Sequence, residues 1–186
     1  MNQFFNTIAR LNRKVINSPL ELKNNHYEIN FADFEQKITE ENVKLFILCS
    51  PHNPGGRVWT KSELEKISSI CLKHNVPVIS DEIHSDIVFS KNVHTIYASL
   101  SEEALNNSII CTAPSKTFNL AGLQNSVVCI PDSELREKFE RFTTGIRITY
   151  GNSFGYVAAR AAWTGGLPWL EAVRKHIWEN YLYFRD

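Results

Sequence analysis

The chain has 186 residues, 43% of them hydrophobic and 22% charged, and its 20 Lys and Arg balance its 20 Asp and Glu. That is an ordinary globular balance, with enough length to bury a core without disulfide or metal staples. Zero net charge argues against a dedicated nucleic-acid binder, and no apolar run is long enough to span a membrane.

Residues 4–12 read as a short helix and residues 14–16 as strand-like. Residues 30–39 read as a helix, with Phe31, Phe34 and Ile38 on one face. Residues 44–50 (KLFILCS) form a nearly continuous apolar run that suits a strand buried on both faces. PHNPGGR follows as a concentrated turn signal. Thr60 and Glu63 make a T-x-x-E capping box, and Leu64, Ile67, Ile70 and Cys71 continue as an apolar helix face. Pro77 disfavours helix at Val76, which places the helix end near Lys73, His74 and Asn75.

Residues 76–80 (VPVIS) are the next strand, running into Asp81. Residues 102–107 form a polar connection of helical character, and residues 108–112 (SIICT) form a third strand leading into APSK. Residues 126–130 (SVVCI) are a fourth strand. Residues 133–142 are helical, with Leu135, Phe139 and Phe142 on one face. Residues 153–163 are rich in small residues that suit close helix packing. Residues 168–184 form the last helix, with Leu170, Val173, Ile177, Tyr181 and Phe184 in a stripe and Pro168 in the first turn. Strands alternating with helices predict an α/β fold with a mainly parallel sheet flanked by helices.

The N-terminus lacks a positive leader followed by a long apolar core, so no secretory signal is expected. Cys49, Cys71, Cys111 and Cys129 show no CxxC spacing, and three of them lie in strand-like runs where a buried free thiol is the ordinary reading. A reducing cytoplasm follows as the expected setting. The chain starts abruptly and stops in helical pattern, as a cut chain would.

In open α/β sheets, ligands sit beyond the carboxyl ends of the strands. Three strands here end in His52-Asn53-Pro54-Gly55-Gly56-Arg57, in Asp81-Glu82-Ile83-His84, and in Ser115-Lys116. Taken singly, these are a turn, a helix cap, a surface lysine and a packing histidine. Together, on one rim, they would turn an amide, a carboxylate and an amine into one crevice. That set is what pyridoxal phosphate requires: a lysine to form a Schiff base, a carboxylate to keep the pyridine nitrogen protonated, and an amide to donate to the phenolic oxygen. Asp81, Glu82, His84 and Asp86 crowd one strand end without a recognised metal-ligand spacing, so no metal is expected. Trp163, Trp169 and Trp178, with Tyr181 and Tyr183, read as packing residues and not as a base-stacking platform.

SPHNPGGRVWTKSEL, VISDEIHSDIVF and CTAPSKTFNLAGLQNS resemble the class I/II aminotransferases of the fold-type I pyridoxal-phosphate enzymes, across nearly the whole chain. The resemblance implies that Lys116 is the Schiff-base lysine, Asp81 the pyridine-nitrogen partner and Asn53 the partner of the phenolic oxygen. His84 falls where much of the family has a tyrosine touching the same oxygen. Gln124 stands where many members grip the phosphate with arginine, and Ala113 where many have serine. Thr112 and Ser115 are the residues that could compensate. The DEIHSD and APSKTFNLAGLQ wording is most similar to the cystathionine β-lyase-like branch, which cleaves carbon–sulfur bonds.

Family members also carry an upstream phosphate-cradling turn and a small domain whose arginine binds the substrate carboxylate. Residues 1–186 are therefore expected to be part of the large domain, ending in the helix that leads to the small domain. The implied function is a pyridoxal-phosphate-dependent β-lyase acting on cystathionine or cysteine S-conjugates, and a homodimer. The substrate would be a small amino acid, with no nucleic-acid or membrane partner. The alternatives are an amino-acid aminotransferase and a non-catalytic fragment.

Overall fold

The computed structural model describes residues 2–89, 92–148 and 151–185. After helix α1 (Asn2–Arg10), strands β1 (Leu20–Lys23) and β2 (His26–Ile29) form an antiparallel hairpin. The turn between them is Asn24-Asn25, with φ of 50° and 60°. Asparagine tolerates this left-handed region, and two such residues in succession suit a tight hairpin turn. The strand expected at residues 14–16 is absent: that stretch is irregular chain.

Helix α2 (Phe31–Glu40) starts where Asn30 caps Asp33 N–H at 3.0 Å. Strand β3 (Phe46–Cys49) leads through the PHNPGGR loop to helix α3 (Lys61–Lys73). Both arms of the Thr60/Glu63 capping box form, and such a cap contributes about 1 kcal/mol. Strand β4 (Val78–Asp81), the short helix α4 (Glu102–Asn106), and strands β5 (Ser108–Thr112) and β6 (Val127–Cys129) follow. The sheet order is β3-β4-β5-β6. The first three strands are parallel, and β6 runs antiparallel on the edge. Helices α5 (Ser133–Gly145), α6 (Ser153–Gly165) and α7 (Leu167–Arg185) complete the chain.

The core lies on one face of the sheet. Leu48, Val78 and Ile110 point into it, against Phe34 and Ile38 of α2 and Leu64, Ile67, Ile70 and Cys71 of α3. Burying each such aliphatic side chain contributes about 1.5–3 kcal/mol. The other face carries Ile47, Cys49, Ile79, Asp81, Ile109 and Cys111, all only half-buried. Burial of β3 on both faces is thus corrected to burial on one.

The expected stripes on the last helices are also largely uncovered. Leu170 is buried, but Phe142, Phe154, Val157, Tyr181 and Phe184 are exposed. Within α7, Trp178 stacks between Phe89 and Tyr181, with ring centroids 6.0 and 5.1 Å apart, and Trp169 lies 5.6 Å from Phe118. Trp163 and Tyr183 remain exposed. No described helix is long and apolar enough to cross a membrane.

Candidate active site

The parallel register fixes the floor of the site. Cys49, Asp81 and Cys111 are aligned neighbours on β3, β4 and β5, so all three share the half-open face at the strands' C-terminal ends. Asp81 Oδ1 accepts the Ile83 N–H at 3.3 Å, and Asp81 makes no salt bridge among the described residues. Burial pushes the Cys49 thiol up, opposed by the Asn53 N–H, and the Asp81 charge pushes it further. Cys111 is raised to about 11, again first by burial and then by Asp81. Both thiols are therefore neutral at physiological pH. They flank the carboxylate without adding charge beside it.

All the described cysteines are free, but their burial differs from expectation. Cys71 is buried, Cys49 and Cys111 are intermediate, and Cys129 on the edge strand is exposed. Cys129 ends β6, the edge strand of the described sheet.

The loop after β3 is held from several sides. His52 and Arg57 form an isolated bridge, with His52 N–H donating to Arg57 O at 2.7 Å and Gly56 N–H to His52 O at 2.9 Å. Cys49 Sγ donates to Pro51 O at 3.3 Å and accepts from Asn53 N–H at 3.5 Å. Trp59 Nε1 donates to Cys49 O at 2.9 Å, and the Arg57 guanidinium lies 4.9 Å from the Trp59 ring centre. A Cβ on Gly55 would come within 2.5 Å of His52 Nδ1, and Gly56 has φ of +65°, so both positions need glycine. The result is an exposed Asn53 whose Nδ2 lies 3.3 Å from His84 Nε2.

The chain beyond β4 separates its four charged or titratable residues. Asp81 faces the open side. Glu82 points the other way and is 3% exposed. It accepts Ser80 Oγ–H at 3.0 Å, Tyr97 N–H at 2.9 Å and a 2.7 Å contact from His94 Nε2. His84 reaches Asn53. Asp86 Oδ2 accepts the Thr117 hydroxyl at 2.8 Å. Burial lowers the His84 pKa, Asp81 opposes that shift, and Lys116 adds to it. His84 therefore lies within electrostatic reach of both the carboxylate and the amine, and it stays neutral at pH 7.

Lys116 is exposed on the turn after β5, with Ser115 and Thr112 half-buried beside it. The turn is closed by Phe118 N–H donating to Pro114 O at 2.8 Å and Leu120 N–H donating to Ser115 O at 3.0 Å. A cavity of about 590 Å³ opens next to Asn53 and His84, roofed by Ile177, Trp178 and Tyr181 of α7. Asn53 and His84 line this cavity, whereas Asp81, Thr112, Ser115 and Lys116 lie at the ends of the neighbouring strands outside its lining. Sequence reading passed over the Cys49 thiol beneath Asn53 and the partner of Glu82. His94 carries no local pattern that links it to Glu82, whereas Cys49 ends the strand directly before the loop it braces.

The profile of the class I and II aminotransferase family matches residues 3–186. Cystathionine beta-lyase PatB of Bacillus subtilis is 42% identical over 177 residues, covering 95% of this chain and 46% of PatB. A pyridoxal-phosphate-bound structure from Clostridium difficile 630 superposes with a TM-score of 0.93 at 47% identity, covering 97% of this chain and 46% of that one. The pyridoxal-phosphate-bound C-S lyase of Staphylococcus hominis superposes at 0.90 with 33% identity, covering 98% and 46%. The chain spans about half the length of these relatives. With the strand order, the rim residues and the match across nearly its whole length in agreement, this chain belongs to the class I and II aminotransferase family.

Proposed function

We propose that this chain forms the cofactor-binding core of a pyridoxal-phosphate-dependent C–S β-lyase acting on cystathionine or a related cysteine S-conjugate. The observation that carries the reading is the convergence of Asn53, Asp81, His84 and the Lys116 turn at the ends of three adjacent parallel strands. The names of the relatives, a cystathionine beta-lyase and a C-S lyase, support the lyase branch.

The donor set fits the cofactor. Lys116 makes no salt bridge among the described residues, so its amine is accessible to an aldehyde. Asp81 uses Oδ1 on the Ile83 N–H and lies on the half-open face of the sheet, suited to hold a proton on the ring nitrogen. Asn53 Nδ2 carries a second hydrogen beyond the one that can meet neutral His84, and Asn53 is exposed, so this pair suits the phenolic oxygen. Thr112 and Ser115 offer hydroxyls to the phosphate.

Pyridoxal phosphate, when bound, supplies the aldehyde and an electron-withdrawing ring. Lys116 Nζ would take the α-proton of the amino acid as general base. Asp81, flanked by the Cys49 and Cys111 thiols, would hold the ring nitrogen's proton. Asn53, paired with His84, would hold the cofactor's phenolic oxygen.

The reading includes a homodimer, for which the exposed apolar residues of α5–α7 offer one surface. It also includes a reducing cytoplasm that keeps the four thiols free. Incubation with cystathionine and pyridoxal phosphate tests the chemistry. Pyruvate, ammonia and a thiol formed without a keto acid are the expected result. Product that appears only with a keto-acid acceptor makes the protein an aminotransferase. No cofactor binding and no product make this chain a non-catalytic fragment.

A further inference from the structure

We propose that Thr117 is a positioning residue: its hydroxyl bond to Asp86 ties the turn that carries Lys116 to the turn that carries His84. The proposal rests on the reading of Lys116 as the cofactor lysine. Lys116 and Thr117 are adjacent, yet one is exposed and the other is 1% exposed. The turn therefore has an outward amine and an inward hydroxyl, and rotation of one moves the other.

The inward hydroxyl donates to Asp86 Oδ2 at 2.8 Å across a sequence separation of 31 residues. Asp86 belongs to a turn of its own, closed by Ser85 N–H donating to Glu82 O at 2.9 Å and Ile87 N–H donating to His84 O at 3.0 Å. That turn grows from Glu82, whose carboxylate is held by Ser80, Tyr97 and His94. The base of the arrangement is the β4–β5 pairing of Asp81 with Cys111, continued by Glu82 N–H donating to Cys111 O at 2.8 Å.

The two turns leave neighbouring parallel strands and would be free to splay apart beyond the last ladder bond. Thr117 and Asp86 join them again above it. A closed ring results, made of chain from Asp81 to Asp86, the Asp86–Thr117 bond, chain from Thr117 back to Cys111, and the β4–β5 pairing. A hydrogen bond is directional, so it restrains the turn as well as stabilising it.

This makes the hydroxyl, and not the bulk of the side chain, the part that matters. It also makes Asp86 matter as an acceptor and not as a charge. Loss of the bond leaves Lys116 on a turn held only by its own backbone bonds and spreads its amine over more orientations. Reaction of the amine then slows for entropic reasons.

The experiment uses the full chain with pyridoxal phosphate. Borohydride reduces the C=N bond formed when the Lys116 amine condenses with the aldehyde and loses water, and peptide mapping locates the label. The wild-type chain is expected to carry the label on Lys116. Thr117→Val, which keeps the shape, should label Lys116 about tenfold more slowly and shift the pH midpoint of the adduct's absorbance, within the range of one lost hydrogen bond. Thr117→Ser should restore both, and Asp86→Asn should retain most of the rate.

If Thr117→Val does not fold, Asp86→Ala takes its place and is expected to show the same slowing. Wild-type labelling and an unshifted midpoint in the folded Val or Ala variant overturn the tether. So does Thr117→Ser as slow as Thr117→Val, which would assign the effect to the methyl group. Label on other lysines in the wild-type chain overturns the Lys116 reading instead, so the two failures are distinct.

Discussion

The two faces of the central sheet are made by the same strands and differ in almost everything else. On the closed face, Leu48, Val78 and Ile110 are buried against α2 and α3, and the polar residues there, Ser80 and Ser108, are small and fully buried. On the open face, Ile79 and Ile109 alternate with Cys49, Asp81 and Cys111, and none is fully buried. Because side chains alternate along a strand, one pattern of residues serves both ends: stability on one side, an uncovered carboxylate on the other. Placing the reactive groups opposite the core lets them keep solvent and ligand access without exposing the core itself. The β3 loop and the Lys116 turn extend this division beyond the strand ends.

The comparison breaks most sharply at Lys116. Lys116→Ala removes the amine from an exposed position, so folding should be unaffected while labelling by pyridoxal phosphate at this turn disappears. Any elimination activity should fall by about 10²–10⁴, the range typical of a lost general base. Thermal melting and borohydride trapping on the same sample check both halves. A melting temperature that falls along with the label would show that the turn is structural, and the division between faces would not hold.

Leu64→Ala makes the converse change. Leu64 is 0% exposed in the closed-face core, so the variant should lose about 2–5 kcal/mol by denaturant unfolding. The folded fraction should still label at Lys116 at the wild-type rate. Slower labelling in the folded fraction would mean that the two faces are coupled through the sheet.

What the sequence discloses follows the same division. The helix from Thr60, the strand at residues 108–112 and the last three helices are legible because their signals are local: a capping box, a short apolar run, a helical stripe. The positions of Asn53, Asp81, His84 and Lys116 are legible because each lies at a strand end or within a few residues after one. The hairpin at β1 and β2 is not, since Leu20–Lys23 and His26–Ile29 mix charged and apolar residues. Its one clear signal is the Asn24-Asn25 turn. One-sided burial of β3 is hidden too, because FILC is apolar at every position and cannot show which face the chain covers. The Glu82–His94 and Asp86–Thr117 contacts join residues with no shared local pattern, and only the folded chain brings them together.

The smallest expected effect is a pH dependence that belongs to the site side. His52 and His84 are both held below the ordinary histidine value of 6.5, chiefly by burial. His84 faces Asp81, which raises it, and Lys116, which lowers it, with Asn53 across from its ring. A histidine whose folded pKa lies below its unfolded value binds a proton more weakly when folded. Its contribution is therefore complete above 6.5 and is lost as pH falls through the folded value. The lowered carboxylates Glu21, Asp33 and Glu35 lose theirs only below their ordinary values of 4.5, 3.8 and 4.5. The histidine window thus lies above the carboxylate window, and melting temperature measured from about pH 8 to about pH 5 isolates it. The wild-type chain should lose stability across the lower half of that range. His84→Asn should flatten the slope in part, leaving the His52 share, while the closed-face variant Leu64→Ala should melt lower at every pH with the wild-type slope. A His84→Asn slope equal to wild type would remove His84 from the titration, and a changed slope in Leu64→Ala would place part of it in the core.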